Sequence, residues 1–348
     1  MFSLVSAPTI ALITMMLLVT NSKAFTFAGG SKYGHSAGLH CSCNRIVVGL
    51  EKDNRKKCPS PRTTRIFSAA KHAYGKGMDQ LELMENDMLV CVDLEDVPSG
   101  KMSKKEAHTF NHVTPRGWAH RAFSVFLFDG NGEMLLTQRA ASKITFPSVW
   151  TNTCCSHPLY GQVVNEVDQP DDYPTFPGIK HAAIRKLYHE LGIVPGDVPH
   201  NDFHFLTRYH YWAADTVTYG EEAPWGEHEI DYILFIQCAG KGPKVNANPE
   251  EVDDHKYVSI EDLKNMMHGN SEEHRGLLWS PWFRGIMENG GFLFWENLEE
   301  ALQPGSRFCN SDIVYFDPPK EHCASYNLSM HGKETGVVRS KLINCKHK

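Results

Sequence analysis

The stretch His181-Ala182-Ala183-Ile184-Arg185-Lys186-Leu187-Tyr188-His189-Glu190-Leu191-Gly192 places apolar side chains at 183, 184, 187 and 191. That spacing predicts an α-helix over 181–191, and Gly192 stands where a left-handed residue ends such a helix. Upstream, residues 122–128 and 133–139 read as strands around Asp129-Gly130-Asn131-Gly132. The Asp-Gly and Asn-Gly steps predict a hairpin there. Residues 88–93, 232–238 and 256–260 read as further strands, and residues 261–268 and 281–288 as helices, the first with Ser259 as its N-cap. Strands and helices interleaved in this way predict an α/β body, and no internal repeat is visible.

The chain has 348 residues, of which about 220 carry dense apolar periodicity, the extent of one large globular unit. Residues 1–24 differ. They hold the apolar run Ile10-Ala11-Leu12-Ile13-Thr14-Met15-Met16-Leu17-Leu18-Val19 followed by Ser22-Lys23-Ala24, a small-x-small pattern. The run is about half a bilayer span, so it predicts a signal-peptide core and no stable membrane anchor, although a basic flank before it is missing. Residues 25–77 are rich in Gly, Ser, His, Lys and Arg, with Glu51 and Asp53 as their only acidic residues. Such a stretch predicts a transit-like, unstructured segment. The two together point to a plastid with several membranes, against the alternatives of the secretory pathway or the cytosol.

Residues 1–77 carry 11 Lys and Arg and 2 Asp and Glu; the remainder carries 24 basic against 39 acidic side chains, a net charge of −15 where the whole chain has −6. An acidic body argues against nucleic-acid binding. An anionic substrate must then be drawn by a local basic cluster and bound metal. The ten cysteines show no Cys-x-x-Cys spacing. Disulfides are conceivable among the tail cysteines Cys309, Cys323 and Cys345, yet a reducing compartment suits a catalytic thiol better. Asn327-Leu328-Ser329 matches a glycosylation sequon, which has meaning only on secretion.

Chemistry concentrates in Thr151-Asn152-Thr153-Cys154-Cys155-Ser156-His157-Pro158. On an extended segment Cys155 and His157, two apart, point the same way, so a thiol sits beside an imidazole. His108 and His120 lie upstream, and Gly226-Glu227-His228-Glu229 downstream. Glu227 and Glu229 share a face if that segment is a strand. Imidazoles with carboxylates suit Zn²⁺, Mn²⁺ or Fe²⁺, and Mg²⁺ where oxygen dominates.

Taken together, His120-Arg121-Ala122-Phe123-Ser124-Val125-Phe126-Leu127-Phe128, Lys143-Ile144-Thr145-Phe146-Pro147, the Cys155/His157 turn, Trp225-Gly226-Glu227-His228-Glu229-Ile230-Asp231-Tyr232 and Ser280-Pro281-Trp282-Phe283 resemble the type I isopentenyl diphosphate isomerases of the Nudix superfamily. The resemblance runs from about residue 88 to about residue 295. It implies a Nudix-type mixed-sheet sandwich with flanking helices (α+β), an isomerase domain over 78–302, and a C-terminal extension over 303–348 without a family counterpart. It further implies interconversion of isopentenyl and dimethylallyl diphosphate through a carbocation-like intermediate, with Cys155 and Glu229 as the proton-transfer groups. Trp282 resembles the tryptophan that closes over the hydrocarbon tail, and Tyr211 a tyrosine that reaches the carboxylate, with Tyr209 as the alternative.

By the same resemblance His108, His120, His157, Glu227 and Glu229 hold a divalent metal (Mg²⁺, Mn²⁺ or Zn²⁺) with a sixth position open. Glu190 helps hold a Mg²⁺ on the substrate diphosphate, and Lys104, Arg139, Lys143 and Lys186 meet the phosphates. A departure is visible in Arg185-Lys186-Leu187-Tyr188-His189-Glu190-Leu191-Gly192. Nudix hydrolases carry three glutamates in this run, two of which are here Lys186 and His189. The alternatives, a Nudix pyrophosphohydrolase or an inactive diphosphate-binding protein, are opposed by that depletion and by the intact site set. The expected partner is a small isoprenoid diphosphate, and a monomer is expected.

Overall fold

The structure, a computed structural model, describes residues 74–75 and 78–333 and the backbone of residues 337–339. The signal-like segment and all but two residues of the transit-like segment lie outside the described residues. Strand β3 (His120–Phe128) is buried along its whole length. That follows from its composition, because Arg121 is the one charged side chain in a run of apolar and aromatic residues. It pairs in parallel with β8 (Gly226–Gln237), from His120 opposite Glu229 to Phe128 opposite Gln237. Strand β7 (His204–Ala214) lies antiparallel on β8, and β10 (Asp312–Tyr315) parallel on β7, with β11 (Val337–Arg339) outermost.

On the other side β3 meets β1 (Met88–Val92), itself paired with β2 (Pro98–Ser103), and β6 (Cys154–Ser156). Strand β4 (Met134–Arg139) carries β5 (Trp150–Thr151) and β9 (Val252–Val258). The helices are α1 (Gln80–Asn86), α2 (Lys104–His108), α3 (Pro177–Leu191), α4 (Thr216–Tyr219), α5 (Ile260–Met267) and α6 (Pro281–Ile286), followed by short helical turns. None of the described helices is long and apolar enough to cross a membrane.

Strand alternation divides the interior into two layers. Phe123, Val125 and Leu127 of β3 and Ile230, Tyr232, Leu234 and Ile236 of β8 pack on Ile179, Ala183, Leu187 and Leu191 of α3. Phe126 and Phe128, with Ile233, Phe235, Tyr209 and Tyr211, pack on Trp282, Phe283 and Ile286 of α6. The mixed sheet between helical layers is the α+β sandwich expected from the sequence.

Local expectations fared unevenly. Helix α3 begins four residues before His181, because Pro177 with its fixed φ can open the first turn, and Gly192 closes it at φ +62°. Ser259 caps α5 as expected. The expected hairpin forms but is short. Asp129 turns the chain, its carboxylate accepting from the backbone N–H of Asn131 (2.8 Å) and Glu133 (2.9 Å). Yet β3 and β4 share a single pair, Phe128 with Met134. Strand β3 buries both faces and both edges, so β8 and β6 take the places a hairpin partner would occupy. Strand β8 starts six residues before the expected Tyr232, since Glu227 and Glu229 hide its buried face from an apolar pattern. Strand β9 ends at Val258, before the expected end at 260, because Ser259 already caps α5. Helix α6 stops at Ile286, where the chain enters a wider turn through Gly290 at φ +133°. Strands β2, β7 and β10 lie outside the segments expected to be extended.

One buried ion network ties the far layer together. Arg121 donates through Nε to Asp96 Oδ1 (2.9 Å), Arg208 through Nη1 to Asp96 Oδ2 (2.6 Å), and the Tyr232 hydroxyl also donates to that carboxylate. All four side chains are buried. Asp96 sits at φ +63°, a conformation asparagine also tolerates. Asp96→Asn leaves two guanidinium groups without a buried counter-charge, so a loss of about 3–5 kcal/mol is expected in urea unfolding. A loss under about 1 kcal/mol would show that the network contributes little.

Candidate active site

The β3/β8 register determines the site. In parallel alignment His120 of β3 lies opposite Glu229 of β8, and antiparallel pairing sets Tyr211 of β7 opposite the same glutamate. Period two then puts Glu227, Glu229 and Asp231 on the face that also carries His120 and Ser124. Helix α2 delivers His108 as its last residue; Ser103 caps it in a reciprocal box with Glu106. Just past α2, the Phe110 N–H donates to Pro224 O (2.9 Å), pinning this helix beside the start of β8. Strand β6 sets Cys155 opposite Ser124 and carries the chain into His157.

Five side chains converge: His108, His120, His157, Glu227 and Glu229 are all buried, and one ligand atom of each lies within 4.8 Å of the others. The Nδ1–H of His108 donates to Lys104 O (2.7 Å) and that of His120 to Trp118 O (2.8 Å). A carbonyl only accepts, so each Nδ1 carries the proton and each Nε2 turns a lone pair inward. His108 Nε2 then lies 2.6 Å from Glu227 Oε2, and both atoms lack a hydrogen-bond partner. Two acceptors at that separation repel unless a cation lies between them. Burial holds the His108 imidazole below its ordinary pKa, and burial with the neighbouring His120 and His108 holds His157 well below it. Neutral imidazoles with carboxylates are a donor set that fits a divalent metal. His157 Nε2 is 2.7 Å and His120 Nε2 3.6 Å from Glu229 Oε1.

Beside this cluster stands the thiol. Cys155 Sγ accepts the Trp282 indole N–H (3.0 Å) and donates to Asn152 Oδ1 (2.8 Å). Burial, then the carboxyl of Asp231, push it up to about 12, against hydrogen bonds from Ser124, Thr151 and Trp282. It is therefore a thiol at neutral pH. The Tyr211 hydroxyl donates to Glu229 Oε2. Tyr209 donates instead to Asn289 O (2.8 Å), which decides between the two tyrosines. Burial and Glu229 push the Tyr211 phenol well above its usual range.

Lys104, Arg139, Lys143, Lys186, Glu190, Tyr211 and Trp282 line one narrow cleft with Cys155, His157, Glu227 and Glu229. Its cations are partly engaged. Lys143 pairs with Glu251, Lys186 lies 3.0 Å from Glu190, and the Arg139 guanidinium donates to the carbonyls of Phe146 (2.9 Å) and Thr145 (2.7 Å). Burial and the neighbouring Lys143 and Lys186 bring Lys104 down to about 8. Glu190 stands apart from the five converging groups and accepts from the Cys154 thiol (3.3 Å). A separate cavity of about 590 Å³ lies on a different face of α3, around Tyr74, Arg185 and Tyr188, and has none of the converging side chains.

Sequence reading missed four groups. Asp231 accepts from the Ser124 hydroxyl (2.7 Å), and Ser124 Oγ is 3.6 Å from Cys155 Sγ. Asn152 accepts from the thiol and Glu251 holds Lys143. The alternation 227, 229, 231 could have found Asp231; nothing local marks Glu251. The six described cysteines are free thiols, Cys309 and Cys323 among them. Asn327 of the sequon is buried and donates to Pro115 O (2.8 Å), so it cannot carry a glycan in this fold.

Residues 118–278 match the NUDIX domain family. Isopentenyl-diphosphate delta-isomerase of Schizosaccharomyces pombe is 45% identical over 238 residues, 68% of this chain and 95% of its own length. The enzyme of that name from Gibberella zeae is 44% identical over 228 residues, 66% and 83% of the two chains. Isopentenyl-diphosphate Delta-isomerase II, chloroplastic, of Arabidopsis thaliana is 43% identical over 227 residues, 65% and 75%. A half-buried thiol, a carboxylate–phenol pair and five converging histidines and glutamates, set in a Nudix sandwich with these relatives, place the chain in the isopentenyl-diphosphate delta-isomerase family of the Nudix superfamily.

Proposed function

We infer that this protein interconverts isopentenyl and dimethylallyl diphosphate by adding a proton at one terminal carbon and removing one from another. The observation that carries this reading is that a protonated thiol and a carboxylate bound to a phenol, Cys155 and Tyr211–Glu229, line the same buried cleft. Protons in and out balance, and no electron is transferred. Because the reaction is reversible, each group is the acid in one direction and the base in the other. Trp282, fixed by its N–H on Cys155, offers an indole face to the tertiary cation, worth roughly 2 kcal/mol when desolvated. Burial raises the Glu229 carboxyl, but His120 and Tyr211 outweigh it and hold Glu229 below its usual range, so it can take up a proton.

A divalent ion, Mg²⁺, Mn²⁺ or Zn²⁺, would be held by His108, His120, His157, Glu227 and Glu229. Its charge would keep Glu229 ionised and the imidazoles neutral. Glu190 would share a Mg²⁺ with the substrate diphosphate, whose oxygens suit the fork of Arg139 and the point charges of Lys104, Lys143 and Lys186. A pyrophosphohydrolase reading loses support from the single glutamate of α3, with Lys186 and His189 in place of the other two. We read residues 1–24 and 25–77 as a two-part presequence, 78–302 as the catalytic unit and 303–348 as its extension, with a plastid as destination. The chloroplastic designation of the Arabidopsis relative supports the plastid. A monomer acting on a small isoprenoid diphosphate is the simplest assembly.

Incubated with isopentenyl diphosphate and Mg²⁺ in deuterated water, the protein is expected to yield dimethylallyl diphosphate carrying solvent deuterium by NMR; released phosphate would instead support the hydrolase. Cys155→Ala should lower kcat by about 10²–10⁴, the usual share of a positioned proton donor, with metal content unchanged, and wild-type rates would remove the thiol from the mechanism. Trp282→Phe should retain more activity than Trp282→Ala, and equal rates would reduce Trp282 to packing. Mn²⁺ at 100 times its dissociation constant should add about 2.7 kcal/mol to the unfolding free energy. Glu227→Gln should abolish most of that gain; an undiminished gain would place the ion elsewhere.

A further inference from the structure

Residues 303–333 do not trail from the fold. Strand β10 pairs with β7 so that Tyr315 lies opposite His210, and the Phe316 N–H donates to His210 O (3.2 Å). This delivers the buried Phe316 ring onto Tyr211, with centroids 5.5 Å apart and planes 1° from parallel. The ring also lies against α6. A Cβ added at Gly285 would come within 2.1 Å of Phe316 Cε2, so at this point the helix backbone itself is the wall. Chain beyond Phe316 is fastened to the rest of the fold and to itself. Asn327 donates to Pro115 O (2.8 Å), Arg284 to Glu321 (3.4 Å), and Asp317 accepts from Tyr315 (2.7 Å) and from the Gly332 N–H (3.0 Å).

Phe316 thus touches the supports of both proton-transfer groups. Tyr211 holds Glu229, and α6 carries Trp282, whose N–H holds Cys155. We propose that Phe316 is a positioning residue of the isomerisation, a flat wedge from the C-terminal extension that sets the spacing between the Tyr211–Glu229 pair and the Trp282–Cys155 pair. The inference rests on the isomerase reading of this cleft. An ordinary core phenylalanine fills volume and tolerates an aliphatic substitute. Phe316 lies parallel to a phenol and against a glycine that leaves no room for a Cβ, so its flatness matters as well as its volume. Phe308, from the same extension, packs against Phe294 (5.3 Å) within the same core and stacks on neither support.

The test uses full-length, Mg²⁺-supplemented protein with Phe316→Leu, Gly285→Ala and Phe308→Leu. Phe316→Leu thins the wedge and Gly285→Ala pushes it aside. Each should lower kcat by about 10–100-fold, as a misplacement near 1 Å does, with KM changed less than about twofold because the cationic rim is untouched. Iodoacetamide labelling of the Cys155 peptide, followed by mass spectrometry, should rise about threefold or more in both as the Trp282 cover loosens. Phe308→Leu should leave kcat and labelling close to wild type. Wild-type kcat and labelling in Phe316→Leu, or equal losses in Phe316→Leu and Phe308→Leu, would overturn the wedge. If one variant fails to fold, the other still decides. A wild-type protein that turns over no isopentenyl diphosphate would defeat the isomerase reading, while the labelling comparison would still report on the wedge.

Discussion

The parallel pairing of β3 with β8 is the constraint on which the rest of this molecule depends. Nine consecutive pairs, from His120 with Glu229 to Phe128 with Gln237, align two almost wholly buried strands. A slip by one residue would turn every side chain of one strand to the opposite face. His120 would then face α3 and lose Glu229, and Phe123 would enter the polar cluster. Such a slip would expose apolar groups to lone pairs and charges to an apolar layer, so the same burial that stabilises the sheet fixes the chemistry.

Concentrating acceptors on one buried face has an electrostatic cost. Glu227, Glu229 and Asp231 lie on alternate positions of one strand, and three imidazoles point ring nitrogens toward the first two. Burial, with Glu229 beside it, holds the Asp231 carboxyl well above the usual range. The unpartnered Nε2 atoms of His108 and His120 and Oε2 of Glu227 are groups that an interior retains only when something positive satisfies them. The rim answers the same problem for the substrate. Four cations gather at a cleft in a body whose described and undescribed parts beyond residue 77 carry −15, so attraction of a diphosphate is local and short-ranged.

Helix α3 shows how one scaffold changes its chemistry. Its buried face packs Ile179, Ala183, Leu187 and Leu191 on the sheet, as any helix of this sandwich must. Glu190 and Lys186 instead reach the cleft and pair with each other at 3.0 Å. A lysine beside the remaining glutamate cannot add ligands for a metal that activates water, but it can meet a phosphate. At the opposite layer the C-terminal extension closes the structure by adding β10 to the sheet and Phe316 to the aromatic stack.

Much of the site was legible in the sequence because its signals are short-range. Cys155 and His157 two apart on an extended turn, Glu227 and Glu229 two apart on a strand, and the α3 periodicity with Gly192 each follow from local geometry. Combined with the family resemblance they pointed to side chains that the fold does bring together: Cys155, Glu229, the other four members of the His/Glu cluster and the cations of the rim. What lay out of reach depends on pairing between distant segments. Tyr209 and Tyr211 share a face of β7, and only the β7/β8 register sets Tyr211 across from Glu229. The Asp129 turn signalled a hairpin, which forms, but it pairs β3 with β4 only at Phe128 and Met134; β8 and β6 take the rest of β3. Glu251 reaches Lys143 across 108 residues, and Phe316 reaches Tyr211 through the parallel addition of β10. Local sequence carries period, caps and turns, because those arise between neighbours along the chain. Register, partner and burial arise between strands far apart in sequence, and the tertiary structure alone decides them.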